Sequence, residues 1–287
     1  MNIIIALAYL LSSILFIFGL KGLSSPKTAR RGNLLAMTAM LIAIIVTLTK
    51  NEILGFTLII TGLIIGSTIG AIIARKIQMT AVPQMVALFN GLGGGASALV
   101  ALAEYYRLAG ELRTDVIISM VVSLFIGAVT FTGSLVAFGK LQGVVRSAPV
   151  VFKAQRFINI LLFTLFLAMS IIVIINPANS TVLLIILATA LIIGILFVMP
   201  IGGADMPVVI STLNSCSGLA AAATGFVLSN NILIICGALV GASGFILTRI
   251  MCKAMNRSIA NIIFGSVGTA SVNNNNNDKR KVINFTE

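Results

Sequence analysis

The residues of this chain best placed to do chemistry are polar side chains stranded in apolar sequence. Asn90 and Asn214 each stand well inside a long apolar stretch, where an amide left without a partner costs several kcal/mol. An amide has no accessible proton equilibrium of its own, but it can order water and hydroxyls along a hydrogen-bonded path. Hydroxyls accompany both asparagines. Ser211, Asn214, Ser215 and Gly218 have the i, i+3, i+4, i+7 spacing that predicts one helical face, with Ser217 alongside, and Ser123, Gly127, Thr130 and Ser134 repeat that pattern elsewhere. Two readings stay open: interhelical hydrogen bonds of about 0.6 to 2 kcal/mol each, or a wetted path. No Asp, Glu, Lys, Arg or His lies at the centre of any apolar stretch.

Three charged residues stand out near the ends of such stretches. Asp205 sits in Gly202-Gly203-Ala204-Asp205-Met206-Pro207, a turn without basic residues. It reads either as an N-cap for the following helix, with Pro207 in the first turn, or as a functional acid. Lys253 and Arg257 lie four apart and share a face, suited to lipid phosphates or to a docked soluble domain. Gly91-Leu92-Gly93-Gly94-Gly95-Ala96 fits the dinucleotide fingerprint G-x-G-x-x-A, but that fingerprint needs a preceding strand and an aqueous crevice. Here it falls inside an apolar stretch opened by Pro83, so close helix packing is the expectation. Cys216, Cys236 and Cys252 lack metal-ligand spacing and the chain has no histidine, so they are read as small apolar side chains and no metal site is expected.

The elements that must hold these residues are membrane spans. With 59% apolar and 9% charged residues and a mean hydropathy of +1.13, the solvent of this chain is mostly lipid. Apolar stretches near the ~20 residues that cross a bilayer recur at about 3–20, 34–49, 53–74, 83–103, 116–138, 158–175, 181–201, 207–228 and 232–251. The predicted fold is an all-α polytopic bundle of about nine transmembrane helices. The stretch at the N-terminus has no basic n-region and is followed by Lys21, Lys27, Arg30 and Arg31, so it reads as a retained span and not a signal peptide. Sixteen basic residues fall on one side of this topology and three, Lys50, Arg107 and Arg113, on the other. The positive-inside rule then puts the N-terminus outside and the C-terminus in the cytoplasm. The net charge of +12 accordingly points to anionic lipid and not to nucleic acid.

Small residues four apart, Gly62, Gly66 and Gly70, then Gly91 and Gly95, then Gly237 and Gly241, predict close helix contacts. Residues 1–264 read as the transmembrane domain. Residues 265–287, with the run Asn273 to Asn277 and a short charged end, read as a polar, disordered linker.

Several blocks are more specific than apolar periodicity. Met79-Thr80-Ala81-Val82-Pro83-Gln84-Met85-Val86-Ala87-Leu88, Gly127-Ala128-Val129-Thr130-Phe131-Thr132-Gly133-Ser134, Val136-Ala137-Phe138-Gly139-Lys140-Leu141, Ile201-Gly202-Gly203-Ala204-Asp205-Met206-Pro207-Val208-Val209 and Met251-Cys252-Lys253-Ala254-Met255-Asn256-Arg257-Ser258 closely resemble the membrane domain of the proton-translocating NAD(P) transhydrogenase β subunit. The resemblance runs from about residue 3 to 265. It implies an enzyme subunit of a bacterial inner membrane in which inward proton flow drives hydride transfer from NADH to NADP⁺ on soluble domains outside this chain. NAD and NADP would be bound by those partner domains and no cofactor by this chain. Asn214 resembles the family's channel asparagine, Ser134 and Ser217 match channel-lining positions, and Asp205, Lys253 and Arg257 fall where the family couples its membrane part to the NADP-binding domain. At Asn90 well-known members carry a histidine associated with the proton relay, which in other members a partner helix supplies. The resemblance further implies an α subunit, a dimer of such complexes and, because family members continue into a Rossmann-like NADP domain while the sequence stops at Glu287, a truncated or split gene. The rival expectations are a secondary transporter or channel built on the same bundle, and a fragment without function.

Overall fold

The structure, a computed structural model, describes residues 3–49, 55–108, 113–177, 179–256, 258–259 and 262. Among them nine helices are long and apolar enough to cross a membrane, as the hydropathy predicts. They are α1 Ile3–Leu23, α2 Ala29–Leu48, α3 Phe56–Lys76, α4 Val82–Arg107, α5 Thr114–Leu141, α6 Gln155–Ile175, α7 Ser180–Val198, α8 Met206–Val227 and α9 Asn231–Ala254. Most run past the apolar stretches that announce them. Hydropathy marks the part of a helix in hydrocarbon, whereas its hydrogen bonding continues into the headgroup zone, where long charged side chains reach water. Glu104 and Lys140, which lie past the apolar stretches 83–103 and 116–138, are also helical, although both are buried.

Consecutive helices pair as hairpins, α1 with α2, α4 with α5, α6 with α7 and α8 with α9, and α5 is central, touching α4, α7 and α8. Pro83 and Pro207 stand in the first turns of α4 and α8, where a missing N–H costs nothing. The α8–α9 turn is closed by Ser229, at φ 49°, and by Asn230, whose side-chain oxygen accepts from the Leu233 N–H at 3.3 Å.

Glycines set how closely these helices approach. A Cβ on Gly94 would lie 2.9 Å from the Gly127 carbonyl oxygen on α5, and one on Gly218 would run into the Gly241 nitrogen on α9. The fingerprint-like run at Gly91 is thus the interior of a helix pressed on its neighbour. The expectation fails for α3: among the described residues nothing lies within 4 Å of a Cβ on Gly62, Gly66 or Gly70, and no residue of α3 is buried by them. Four-residue glycine spacing makes a flat helix face possible without supplying the helix that covers it.

Three apolar clusters fill the bundle, one of them between α1, α2 and α9 around Phe16, Ala39 and Cys236, and the other two lie along α4 and α5. One includes Ala98, Ala101, Met120, Leu124 and Ala128; the other includes Ala87, Ala137, Val198, Met206 and Leu213. Between them along α4 and α5 come Asn90, Thr130 and Ser134. A polar layer therefore interrupts the core about midway.

Candidate functional site

Three of the four residues expected to line a path meet in that layer, one from each of three helices. Asn90 of α4, 9% exposed, donates from its side-chain nitrogen to Ser134 Oγ on α5 at 2.9 Å. Ser217 of α8 donates to Asn90 Oδ1 at 2.8 Å and lies 3.3 Å from the Asn90 backbone carbonyl. Each hydroxyl proton has a direction here. Ser217 gives its proton to the amide oxygen, the amide gives one to Ser134, and the Ser134 proton is left to point onward along α5. Gly91 makes this approach possible, since a Cβ there would lie 3.0 Å from Ser134 Cβ.

The fourth residue, Asn214, is one helical turn from Ser217, about 4.5 Å along the axis. It is half-buried, and among the described residues its amide has no hydrogen-bond partner. The single face predicted for Ser211, Asn214, Ser215 and Gly218 divides in the structure. Ser211 and Ser215 donate to the Gly244 and Gly241 carbonyls of α9, and Gly218 lies against Gly241. Those residues are interhelical cement. Asn214 stands at the edge of that stripe, on the side leading round to Ser217, because 100° per residue rotates it away from the stripe's centre.

The face predicted on α5 is present. Ser123, Thr130 and Ser134 are wholly buried, and Gly127 abuts Gly94 and Ala98 of α4. Ser123 Oγ shares a hydrogen bond of 2.7 Å with Thr224 Oγ1 of α8 and sits 3.3 Å from the Ser97 and Ala220 carbonyl oxygens. Thr130 Oγ1 is buried without a partner among the described residues.

At the end of the bundle rich in Lys and Arg, Asp205 occupies the N-cap position of α8, but its carboxylate makes no capping bond. The N-cap reading holds for position and fails for chemistry, since at φ −92°, ψ 0° the residue is αR, whereas a capping side chain works from extended backbone. Asp205 is near enough to Cys252 for its charge to act there, so the start of α8 and the end of α9 come together. Lys253, next along α9, is exposed in the last turn. Arg257 lies outside the described residues.

Two charged residues escaped the sequence reading. Lys140, counted with the loop cations, is 1% exposed, and its Nζ donates to the Met199 and Ile201 carbonyls at 2.5 and 2.7 Å. It closes the end of α7 and holds the turn leading to Asp205, a job its place in the Val136–Leu141 block could have suggested. Glu104 is 7% exposed and is gripped by both ends of the Arg107 guanidinium. Its spacing of seven from Ser97 and fourteen from Asn90 was the available signal. Among the described residues no cluster of His, Cys, Asp and Glu could hold a metal ion.

The chain matches the family described as NAD(P) transhydrogenase beta subunit over residues 5–287. It is 46% identical over 270 residues to the NAD(P) transhydrogenase subunit beta of Rhodospirillum rubrum, covering 91% of this chain and 58% of that one, with the same figures for the protein of strain ATCC 11170. It thus spans a little over half the length of the curated relatives it matches. With a matched region that takes in every helix and the whole polar layer, this multi-pass helical membrane protein belongs to the NAD(P) transhydrogenase beta subunit family.

Proposed function

We propose that this chain is the membrane proton path of a nicotinamide nucleotide transhydrogenase, coupling inward proton translocation to hydride transfer from NADH to NADP⁺. The hydride chemistry takes place on soluble domains outside the described residues, and those domains hold the NAD and NADP. The observation that carries this reading is the Ser217–Asn90–Ser134 hydrogen-bonded layer, polar residues from three helices of which Asn90 and Ser134 are buried and Ser217 half-buried. Asn214, one turn from Ser217, extends the layer towards the basic end. The amides orient the path and carry no proton themselves, so the titrating group at this depth comes from a partner helix of the α subunit. Asp205, Lys253 and Arg257 form the docking surface through which the NADP-binding domain senses the path. The bundle sits in a bacterial inner membrane with its basic end in the cytoplasm, in a dimer of complexes, and residues 265–287 link it to the NADP-binding domain.

The energetics are sufficient. One proton falling through ~100 mV releases about 2.3 kcal/mol, and a tenfold change in an equilibrium ratio takes about 1.4. A single proton therefore shifts the nucleotide ratio roughly fiftyfold.

Asn214→Leu, made in the complete complex, tests the path, since it removes the amide and keeps the bulk. The expected result is a membrane-inserted, assembled complex whose proton pumping is lost. Unchanged pumping would reduce Asn214 to packing.

A further inference from the structure

The polar layer accounts for the middle of a path and leaves open how a proton reaches it from the end opposite Asp205. Four observations lie on one line towards that end. First, Glu104 is buried at the last full turn of α4, and among the described residues it is the one buried carboxylate. Spacings of seven and fourteen residues put Ser97 and Asn90 on the same face of α4. Second, the Ser123–Thr224 hydroxyl pair is wedged where α4, α5 and α8 meet, touching the Ser97 carbonyl. Third, Thr130, between Ser123 and Ser134 on the buried face of α5, leaves its hydroxyl unpartnered among the described residues. Thr132, Thr164, Thr212 and Thr224 instead donate to the carbonyl four residues back, which is how a threonine in a membrane helix ordinarily satisfies itself. Fourth, the Ser134 hydroxyl accepts from Asn90, and its own proton has no acceptor among the described residues one turn from Thr130.

We propose that Glu104, the Ser123–Thr224 pair and Thr130 form the outer half of the proton path, with one ordered water held between Thr130 and Ser134 and with Glu104 as the proton acceptor at the mouth. This rests on the proton-path reading above. A proton from bulk water adds to a Glu104 carboxylate oxygen, loosening its hold on Arg107. The carboxyl group then releases that proton inward to water, and Glu104 returns to its ion pair with no net change. From Glu104 to the level of Ser97 is about 10 Å along α4, past Ala98 and Ala101 of the apolar cluster, a step the proton crosses on water admitted transiently. From there the Ser123–Thr224 hydroxyls, the Thr130 water and Ser134 hand the proton to the Asn90 layer. The other titratable groups described at this end are Arg107, Tyr105 and Tyr106 on α4 and the exposed Arg113–Asp115 pair opening α5; α8 ends there in the neutral Ser229 and Asn230.

The test uses the complete complex in sealed vesicles, with proton movement followed by a pH dye. Glu104→Gln is expected to slow pumping at least tenfold. Glu104→Asp should keep most of the rate, and added formate, a small diffusible carboxylate, should restore part of it to the glutamine variant. Thr130→Val removes the hydroxyl at constant shape and should slow pumping several-fold, with Thr130→Ser near wild type. Full pumping by both Glu104→Gln and Thr130→Val overturns the proposal. So does a loss at Glu104 that neither aspartate nor formate relieves, which marks a structural ion pair, and so does a Thr130→Val complex that pumps fully and melts higher. A wild-type complex that moves no protons defeats the underlying reading instead.

Discussion

A single hydrogen-bonded amide decides what Asn90 does. Its nitrogen donates to Ser134 and its oxygen accepts from Ser217, so both ends are used to set the direction of neighbouring hydroxyls. A group held in this way has no proton to give up, and this is the ground for expecting a gain at Asn90→His. The substitution installs a side chain with an unperturbed pKa near ~6.5 at a buried crossing of three helices. Proton pumping by the complex should then acquire a new dependence on pH near neutrality. Identical pH profiles for the two forms would leave Asn90 without a place in the path. This residue was visible in the sequence because an amide in hydrocarbon is costly. Its partners were not, since serines at helical spacing serve equally well as cement, and only the contact across helices separates Ser217, which meets Asn90, from Ser215, which meets the Gly241 carbonyl.

At the scale of elements, glycine spacing is read the same way in α3 and α9 but means different things. Gly237 and Gly241 of α9 lie against α8, while Gly62, Gly66 and Gly70 of α3 meet none of the described residues. Gly218→Ala drives a methyl group into the α9 backbone and is expected to cost about 1 to 3 kcal/mol. Gly62→Ala meets nothing and should be neutral or stabilising by up to ~1 kcal/mol. Thermal unfolding of the two variants in detergent compares them directly, and equal destabilisation would contradict the packing described. The helices themselves were legible because twenty apolar residues admit little else in lipid. Their ends were less so: Lys140 looked like a loop cation because hydropathy cannot tell an ammonium in lipid headgroups from one turned inward onto the Met199 and Ile201 carbonyls.

Across the whole molecule, polar groups form a column through the α4–α5–α8 junction, and charge gathers at its two ends. Glu104 and Arg107 stand at one mouth, while Asp205 and Lys253 stand at the other, where Lys140 braces the turn that carries Asp205. The resemblance singles out the Asp205 end through its sequence block. The Glu104 end carries no such block and emerges only when α4 is seen to continue to Arg107. Between them the column offers donors and acceptors but no Asp, Glu, His, Lys or Arg among the described residues, so in the proposed path it conducts protons and does not store them. The most direct measurement is proton movement into sealed vesicles carrying the complete complex, driven by hydride transfer between the two nicotinamide nucleotides, with wild type and Asn90→Leu compared at equal assembly. Proton movement in step with hydride transfer is expected for the wild type, and its loss in the variant. Hydride transfer by the wild type with no proton movement, or equal movement in both forms, would contradict the role assigned to the column.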